Sequence, residues 1–531
     1  LTIGASQAGA ITLSGSVGAD AAAGAAVMLI GNSDTSTLTL SGADYNSGSS
    51  AQTYTADAFV INGTDPTFTS SNAAIKFVDG ASSDIILSDT ANLTIRTSGG
   101  LIDIEPEIIG TADGANTTVT MNAGSGNIVL DNTGVGVIHT DIGAVSLTSS
   151  GTITISDNIT TDGENINFVG DVVLNSSGQT ITISSGTGGG NIDFSERIDA
   201  TASGSNAEGL TILSGTGTTV VDKGIGTQTA LGDLTIGASQ AGAITLSGSV
   251  GADAAAGAAV VTIGNSDTAS ITFGGVEFTT SGAQTFTALS GENIDLISGS
   301  TTTFTTSNDN IIFGNSTVQL SSGSNLVVNT ATGSGKIDMI SGIVGTLNEN
   351  VTLSAGTGLV TIGSVGQPYE NIDGGYKAKA LADVTISTSG NTLLQGDLAT
   401  DNLSISGPVI VSSNSLNIIS NGSIQFGSTL NSSSGEQSIT LETIPNYKNS
   451  QKTKFGISIA GEVGNKKPFA LLKIIDAKEF IYSGEPISNF ESWKFNSTGG
   501  TITPFPGSAI DNNDITSFDL AEDRNLSLIH I

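Results

Sequence analysis

Short runs in which apolar and hydroxyl-bearing residues alternate recur along most of the chain. The sequence TITIS appears at Thr152–Ser156 and again at Thr180–Ser184, with isoleucine at every second position. A period of two residues predicts a β-strand that buries one face. We therefore expect Ile153 and Ile155 to point inward, and the hydroxyl residues around them, Ser156 included, to point outward.

Clusters of glycine, serine, asparagine and aspartate separate these runs. Such residues supply the positive φ angles and the side-chain bonds to backbone that tight turns require. No stretch has a clear helical period; the alanine-rich segment Ala19–Ala26 is short and interrupted by Gly24, so it is predicted to be a turn. The pattern fits either an antiparallel sandwich or barrel, or a parallel β-helix.

The chain also repeats itself over most of its length. Residues 1–35 and 234–268 are identical at 33 of 35 positions. Weaker matches continue beyond them, such as AQTYTA at 51–56 against AQTFTA at 283–288. Long internal repeats are typical of solenoids, so they favour the parallel β-helix over the sandwich.

We predict an all-β fold, an elongated right-handed parallel β-helix (solenoid). Each rung would take roughly 20–25 residues and contain about three short strands stacked on those of the next rung. Small and β-branched side chains would fill its narrow core. Asparagine or threonine at equivalent corners of successive rungs is expected to form ladders, as in stacked cross-β structures.

Three regions follow from the repeat. Residues 1–233 are predicted to form the first β-helix unit and residues 234–476 the second, which diverges at its end and carries a lysine-bearing loop near 447–454. Residues 477–531 are predicted to be an irregular flank, and the final LSLIHI is either a native strand or a non-native addition. Because Leu1 is not a start methionine and lies within a repeat, we interpret the chain as a fragment of a longer protein.

Composition narrows the classes of partner and cofactor. The 531 residues include 70 glycines and no cysteine, and 49 acidic against 16 basic residues give a net charge of -33. The absence of cysteine excludes disulfides and cysteine-ligated metal sites. Nucleic acids and anionic lipids are bound through lysine and arginine, so neither is predicted as a partner. No apolar run is long enough to predict direct membrane insertion.

Two segments suggest a family. The pattern over Ile192–Ile236, which ends in LGDLTI, and the sequence GNSDTASITFGG at Gly264–Gly275 resemble the repeats of filamentous-haemagglutinin-like bacterial exoproteins. The resemblance covers about Leu1–Asp476. These are large surface adhesins that are commonly exported by two-partner secretion.

The resemblance carries implications for location and partners. It implies an extracellular protein, or one at the bacterial cell surface in association with the outer membrane. It also implies an outer-membrane secretion partner for the full-length protein. The expected binding partners are a host or neighbouring cell surface, glycans or extracellular matrix.

Candidate catalytic groups are few. Asp511 and Asp514, three residues apart, have the residue types of an acid and base pair or of a calcium site, with Arg524 as the nearest cation. A solvated turn is the favoured interpretation. His139 has Asp141 two residues on, but no nucleophilic serine in a suitable turn, and the alternation after Ile138 predicts that its side chain points outward.

Two further groups have ordinary structural interpretations. Glu196, Arg197 and Asp199 are predicted to form a surface ion pair. The glycine-rich segment Ser184–Asn191 lacks the lysine and hydroxyl residue that end a phosphate-binding loop, so it is predicted to be a turn between strands. No catalytic, cofactor-binding or metal-binding residue is therefore assigned, and the protein is not expected to be an enzyme.

Calcium is the one cofactor that the sequence leaves open, although none is predicted. The acidic turns Gly31–Asp34, Gly264–Asp267 and Thr111–Asn116 offer oxygen ligands. The glycine- and aspartate-rich nonapeptide of calcium-binding β-rolls does not recur.

The sequence thus favours a secreted or surface-attached repeat protein that acts as an adhesin or adhesin stalk through non-catalytic contact. Two alternatives stay open. One is a polysaccharide-degrading enzyme on the same scaffold, which would need clustered carboxylates and a cation. The other is a purely structural sheath or matrix protein.

Overall fold

The computed structural model divides the chain into two compact units, Leu1–Gly275 and Val276–Ile531. It describes all residues except 5, 7–8, 19–25, 80–83, 89–90, 112–116, 132–135, 140, 240, 252–255, 347, 373–374, 380, 444–455, 465, 468, 476–478, 483–492, 497–500, 505–527 and 530–531. The division falls after the start of the second sequence repeat at Leu234, so the packing units and the repeats do not coincide.

Short strands separated by turns make up the first unit, with a single 3-10 turn at Gly204–Asn206 among its described residues. The strands are β1 (Thr2–Ile3), β2 (Ala10–Leu13), β3 (Met28–Gly31), β4 (Thr37–Leu40), β5 (Asp44–Asn46), β6 (Gln52–Ala56), β7 (Phe59–Ile61), β8 (Thr67–Ser70), β9 (Ile75–Asp79), β10 (Asp84–Leu87), β11 (Leu93–Thr97), β12 (Ile102–Ile104), β13 (Glu107–Gly110), β14 (Val119–Asn122), β15 (Ile128–Leu130), β16 (Ile138–His139), β17 (Val145–Ile155), β18 (Ile159–Thr160), β19 (Ile166–Leu174), β20 (Thr180–Ser184), β21 (Ile192–Phe194), β22 (Ile198–Ala200), β23 (Gly209–Leu213), β24 (Thr219–Val221), β25 (Leu234–Ile236), β26 (Ile244–Leu246), β27 (Val261–Ile263) and β28 (Ile271–Phe273).

The second unit is built in the same way. Its strands are β29 (Glu277–Thr280), β30 (Gln284–Thr287), β31 (Asn293–Leu296), β32 (Thr301–Thr306), β33 (Ile311–Gly314), β34 (Thr317–Leu320), β35 (Asn325–Asn329), β36 (Ile337–Met339), β37 (Ile343–Gly345), β38 (Val351–Ser354), β39 (Val360–Ile362), β40 (Gln367–Ile372), β41 (Gly375–Lys379), β42 (Leu381–Ser387), β43 (Thr392–Leu394), β44 (Leu398–Ile405), β45 (Val409–Val411), β46 (Ser415–Ser420), β47 (Ile424–Phe426), β48 (Leu430–Ser432), β49 (Ser438–Thr443), β50 (Gly456–Ile459), β51 (Leu471–Ile475), β52 (Glu479–Tyr482), β53 (Trp493–Asn496), β54 (Thr501–Pro504) and β55 (Leu528–Ile529).

Parallel pairing arranges the strands of the first unit in three stacks. One contains β1, β3, β6, β9, β12 and β15 and continues through the second halves of β17 and β19 to β22. Another contains β2, β4, β7, β10, β13, β16, β18, β20, β23, β25 and β27. The third contains β5, β8, β11 and β14 and continues through the first halves of β17 and β19 to β21, β24, β26 and β28.

Three parallel stacks also form the second unit. One of them contains β29, β32, β35, β38, β42, β44, β47, β50, β52 and β54. In both units successive coils stack in parallel, through strands or, as at Ile225 and Val250, through single bridges, which makes a β-solenoid. The prediction of an all-β parallel β-helix is confirmed; the handedness of its coil stays a prediction.

The register of paired strands gives the number of residues in each coil. Asp84 pairs with Glu107, so that coil takes 23 residues, and Ile192 pairs with Thr219, which takes 27. Val351 pairs with Val384, 33 residues on, because the hairpin β40–β41 is inserted between them. No feature of the alternation predicted this hairpin.

Alternation along each strand fills the core with isoleucine, leucine and valine. Ile153 and Ile155 are fully buried, as predicted. Ser156 was predicted to point outward, and this is wrong: it lies just beyond the end of β17, is 8% exposed, and its hydroxyl donates to the Leu130 carbonyl at 3.0 Å. A hydroxyl at the corner can turn inward because the backbone of the preceding coil offers it an acceptor.

Four aromatic rings at equivalent positions form a buried cluster in each unit, and Phe59 adds a fifth ring to the cluster of the first unit. In the first unit Tyr45 stacks on Phe68 at 4.8 Å between centroids, and Tyr54 stacks on Phe77 at 4.9 Å. Their counterparts in the second unit are the phenylalanines Phe278, Phe304, Phe286 and Phe313. The duplication therefore kept the cluster but replaced both tyrosines.

One of these replacements leaves a polar atom without its partner. Gln52 is fully buried, its amide donates to Thr69 O at 2.6 Å, and its oxygen accepts from the Tyr54 hydroxyl at 2.8 Å. Gln284 repeats the donor side, bonding Thr305 O at 2.8 Å. Because Phe286 stands in the tyrosine's place, no described residue hydrogen-bonds Gln284 Oε1.

We expect Phe286→Tyr to stabilise the second unit by about 1 kcal/mol, because the new hydroxyl can donate to Gln284 Oε1. Urea unfolding, with amide hydrogen exchange of β30 and β33 as the local readout, measures the gain. The reciprocal control is Tyr54→Phe, which should destabilise the first unit by a similar amount. Loss of stability in Phe286→Tyr would show that the site has no room for the hydroxyl or that Gln284 is satisfied by water.

Parallel pairing extends past Asp476, where the second repeat unit was predicted to end. Strand β50 pairs with β52, and β52 pairs with β54, which lies at Thr501–Pro504 within the flank predicted to be irregular. In the final LSLIHI, Leu528–Ile529 pairs antiparallel with β53. The predicted lysine-bearing loop near 447–454 lies outside the described residues, as does most of the predicted turn Ala19–Ala26.

Candidate functional site

A ladder of polar side chains follows one corner of the second unit across successive coils. Asn325 Oδ1 accepts the backbone N–H of Asn350 at 2.8 Å, and Asn350 Oδ1 accepts that of Asp383 at 3.0 Å. Asp383 Oδ1 accepts the Asn402 amide at 2.8 Å, and Asn402 Oδ1 accepts the Ser423 N–H at 2.9 Å. This confirms the predicted corner ladder and fixes the positions of these side chains.

A shallow groove lies beside the last part of this ladder, on the outer face of β42, β44 and β47. We call it the Asp383 groove. Its polar lining residues are Asp383, Thr385, Asn402, Ser404, Ser423 and Gln425. The apolar residues between them point into the core, with Leu403 and Ile424 fully buried. Strand alternation therefore presents only polar side chains to the groove.

Register places these side chains in rows across three coils. Asp383 pairs with Asn402, and Thr385 pairs with Ser404, which pairs with Gln425. Asp383, Thr385 and Gln425 are exposed. No described residue hydrogen-bonds the side chains of Thr385, Ser404 or Gln425, so their hydroxyl and amide groups face solvent.

The inserted hairpin lies next to this face along the backbone. Its second strand, β41, directly precedes β42 and lies against β44. Both strands that carry the Asp383–Asn402 pair therefore adjoin the hairpin. The hairpin is inserted without breaking the parallel stack, because β38 pairs directly with β42 on either side of it.

A second shallow groove lies on the first unit. It contains Arg96, an exposed side chain in register with Thr69 on one side and Asn122 on the other. The ion pairs among the described residues involve Lys76, His139 and Arg197 rather than Arg96. This groove offers a single cation in an otherwise neutral lining.

His139 lies where the alternation predicts, on the outer side of β16 next to the buried Ile138. Its Nε2 atom is 2.9 Å from Glu107 Oε2, a carboxylate of the preceding coil. Asp141, its neighbour in sequence, uses its backbone carbonyl to accept from the Thr117 hydroxyl at 2.9 Å. This arrangement is an interstrand pair on the solenoid wall.

The predicted surface ion pair at 196–199 needs correction. Arg197 bonds Asp199 at 3.1 Å, as expected, but also Asp171 of the preceding coil at 2.5 Å. Asp199 is only 5% exposed and accepts the backbone N–H groups of Gln228 and Thr229 at 2.9 and 3.1 Å. It is thus a buried turn anchor, and among the described residues Glu196 takes no part in an ion pair with Arg197.

In the glycine-rich segment Ser184–Asn191, Ser184 ends β20 and the remaining residues form the turn that leads to β21, as predicted. The Asp511 and Asp514 pair, Arg524, and most of the acidic turn Thr111–Asn116 lie outside the described residues.

In each of the two GNSD turns the asparagine side chain is hydrogen-bonded through both its amide nitrogen and its oxygen. The Asn32 amide donates to the Gly4 carbonyl at 2.6 Å while its oxygen accepts the Asp34 N–H at 2.7 Å. Asn265 repeats both bonds, to Gly237 at 2.5 Å and from Asp267 at 2.6 Å. Each asparagine oxygen thus holds its own turn by accepting a backbone N–H group, and calcium binding at these turns stays untested.

Burial perturbs a few carboxyl groups elsewhere on the walls. Partial burial raises the pKa of Asp193, and repulsion by Asp222 raises it further. Burial raises the pKa of Asp295, and it also raises the pKa of Asp338 against the opposing effects of the Ile340 N–H and Lys336. The described residues contain no grouping of three or more histidine, cysteine, aspartate or glutamate side chains that could hold a metal.

Sequence reasoning assigned no site residue, and so it missed the Asp383 groove. Its signal was present only as a short polar alternation, ADVTIS at 382–387, followed by DNLSIS at 401–406. Many other segments of the chain show the same alternation, so it does not mark which strands line a groove.

Comparison with known proteins adds no assignment: no family model, curated protein or solved structure matches this chain. Within the described part of the chain, no helix has the length and apolar character needed to cross a membrane.

Proposed function

We propose that this protein is a secreted or cell-surface repeat protein that acts as an adhesin or adhesin stalk by non-catalytic contact with glycans, cells or matrix. The observation that carries the proposal is the Asp383 groove, where solvent-facing carboxylate, amide and hydroxyl groups lie on a fixed β-scaffold. Hydrogen-bonding groups held by strand backbone are suited to recognising polyhydroxylated surfaces, because little conformational entropy is lost on binding.

The likeness to filamentous-haemagglutinin-like repeats supports the same proposal. Under it, the protein lies outside the cell or at the outer membrane, and the full-length protein depends on an outer-membrane secretion partner. The acidic surface also favours solubility at the cell surface and disfavours nucleic acid.

The test is binding of the purified full chain to immobilised glycans, extracellular matrix proteins and whole cells, with an unrelated acidic protein of similar size as the control. We expect saturable binding to at least one of these surfaces. Absence of binding to all three would contradict the adhesin proposal and favour a sheath or matrix role. Release of new reducing ends from polysaccharides during the same incubation would instead favour an enzyme.

A further inference from the structure

We infer that the Asp383 groove binds an uncharged, linear oligosaccharide that runs along the stacking direction, with about one sugar unit per coil. The inference rests on the proposed function and names the ligand class and the site. It is carried by the register, the hydrogen-bonding state and the charge of the groove.

Register gives the direction and the spacing. Thr385, Ser404 and Gln425 stand in one row on three successive coils. Strands stacked in this way lie about 4.8 Å apart, which is close to the length of one pyranose unit in a linear chain. Equivalent polar groups are thus presented once per sugar to a ligand lying along the row.

The hydrogen-bonding state of the row matches sugar hydroxyls. Asp383 uses Oδ1 for Asn402, and no described residue bonds its other carboxylate oxygen. That oxygen can accept from a ligand hydroxyl, and bonds to a charged acceptor are stronger than those between neutral groups. The Gln425 amide and the Ser404 hydroxyl can both donate and accept, as vicinal hydroxyls require.

Charge decides between neutral and acidic sugars. The groove lining contains the Asp383 carboxylate and no cation, and the whole chain carries a net charge of -33. Uronic acids, sialic acids and sulfated sugars would be repelled, locally and by the overall field. A neutral oligosaccharide has no such penalty.

The experiment is calorimetric titration of the full chain with neutral linear oligosaccharides of two to six units, tested beside oligogalacturonides of the same lengths. We expect affinity for one neutral series to rise with length up to about the three coils that line the groove. Asp383→Asn, which keeps an oxygen for Asn402, and Gln425→Ala should each weaken binding by about tenfold. Asn167→Ala, on the outer face of β19 in the first unit, should not change it.

The outcomes separate this inference from the proposed function. Neutral-glycan binding that survives both groove substitutions, or a preference for the acidic series, would overturn the inference while leaving an adhesin in place. Binding to matrix protein or cells without any oligosaccharide binding would also overturn it. If the chain binds no glycan, cell or matrix surface, both the inference and the proposed function fail.

Discussion

Replacing Phe304 by alanine is expected to lower the stability of the second unit by about 3–5 kcal/mol, the usual cost of removing a buried phenylalanine. Phe304 is fully buried. Its ring stacks on Phe278 at 4.9 Å and meets Phe286 and Phe313 edge-on, each at 5.1 Å. The substitution therefore leaves a cavity and removes three aromatic contacts at once.

The effect should be local. Coils of a solenoid contact mainly their neighbours, so stability is close to a sum of coil and interface terms. Amide hydrogen exchange of Phe304→Ala should show faster exchange in β29, β32 and β33, with β20 and β23 of the first unit unchanged.

The matched control for this prediction is Ile297→Ala, also in the second unit. Ile297 is 52% exposed, so its truncation should cost well under 1 kcal/mol. Equal losses from Phe304→Ala and Ile297→Ala would show that the aromatic cluster does not hold these coils together. Loss of protection throughout the chain would contradict the local model of stability.

The strand content of the fold could be predicted from particular residues. Ile153 and Ile155 repeat with the period of a strand. The duplicated sequence contains few large apolar side chains, which indicates stacked coils with a narrow core. The corner asparagines were predictable for the same reason: Asn191 Oδ1 accepts the Thr218 N–H at 2.9 Å, and Asn165 Oδ1 accepts the Asn191 N–H at 2.8 Å. Both patterns recur once per coil, so they are visible in the sequence as repeats.

What could not be predicted depends on contacts between coils. The burial of Ser156 and Asp199 follows from acceptors and donors that another coil supplies, which the residue types alone do not reveal. The hairpin at 367–379 had a signal, the Asp373-Gly374-Gly375 turn sequence, but it stands among many glycine-rich turns. The Asp383 groove was missed because its three strands come together only through the stacking of successive coils.

The role of glycine was also only partly predictable. Glycine was predicted to supply positive φ angles, and Gly215 and Gly226 do so. Gly190, Gly217 and Gly242, in contrast, have no positive φ in this structure. They occupy one corner in three successive coils, where the backbones approach too closely for a Cβ atom.

We expect Gly217→Ala to destabilise the first unit by about 1–3 kcal/mol, because a Cβ atom on Gly217 would lie 2.2 Å from the Gly190 carbonyl oxygen. Relief would require moving one coil away from the next, which also strains the bond between them from the Thr216 N–H to the Gly188 carbonyl at 3.0 Å. Urea unfolding and amide hydrogen exchange of β21 and β24 measure the loss.

Gly189→Ala is the control in the adjoining coil: its Cβ would meet nothing closer than Thr216 Oγ1 at 3.6 Å. If both alanine variants unfold at the same urea concentration, close backbone approach is not the reason for the glycine column.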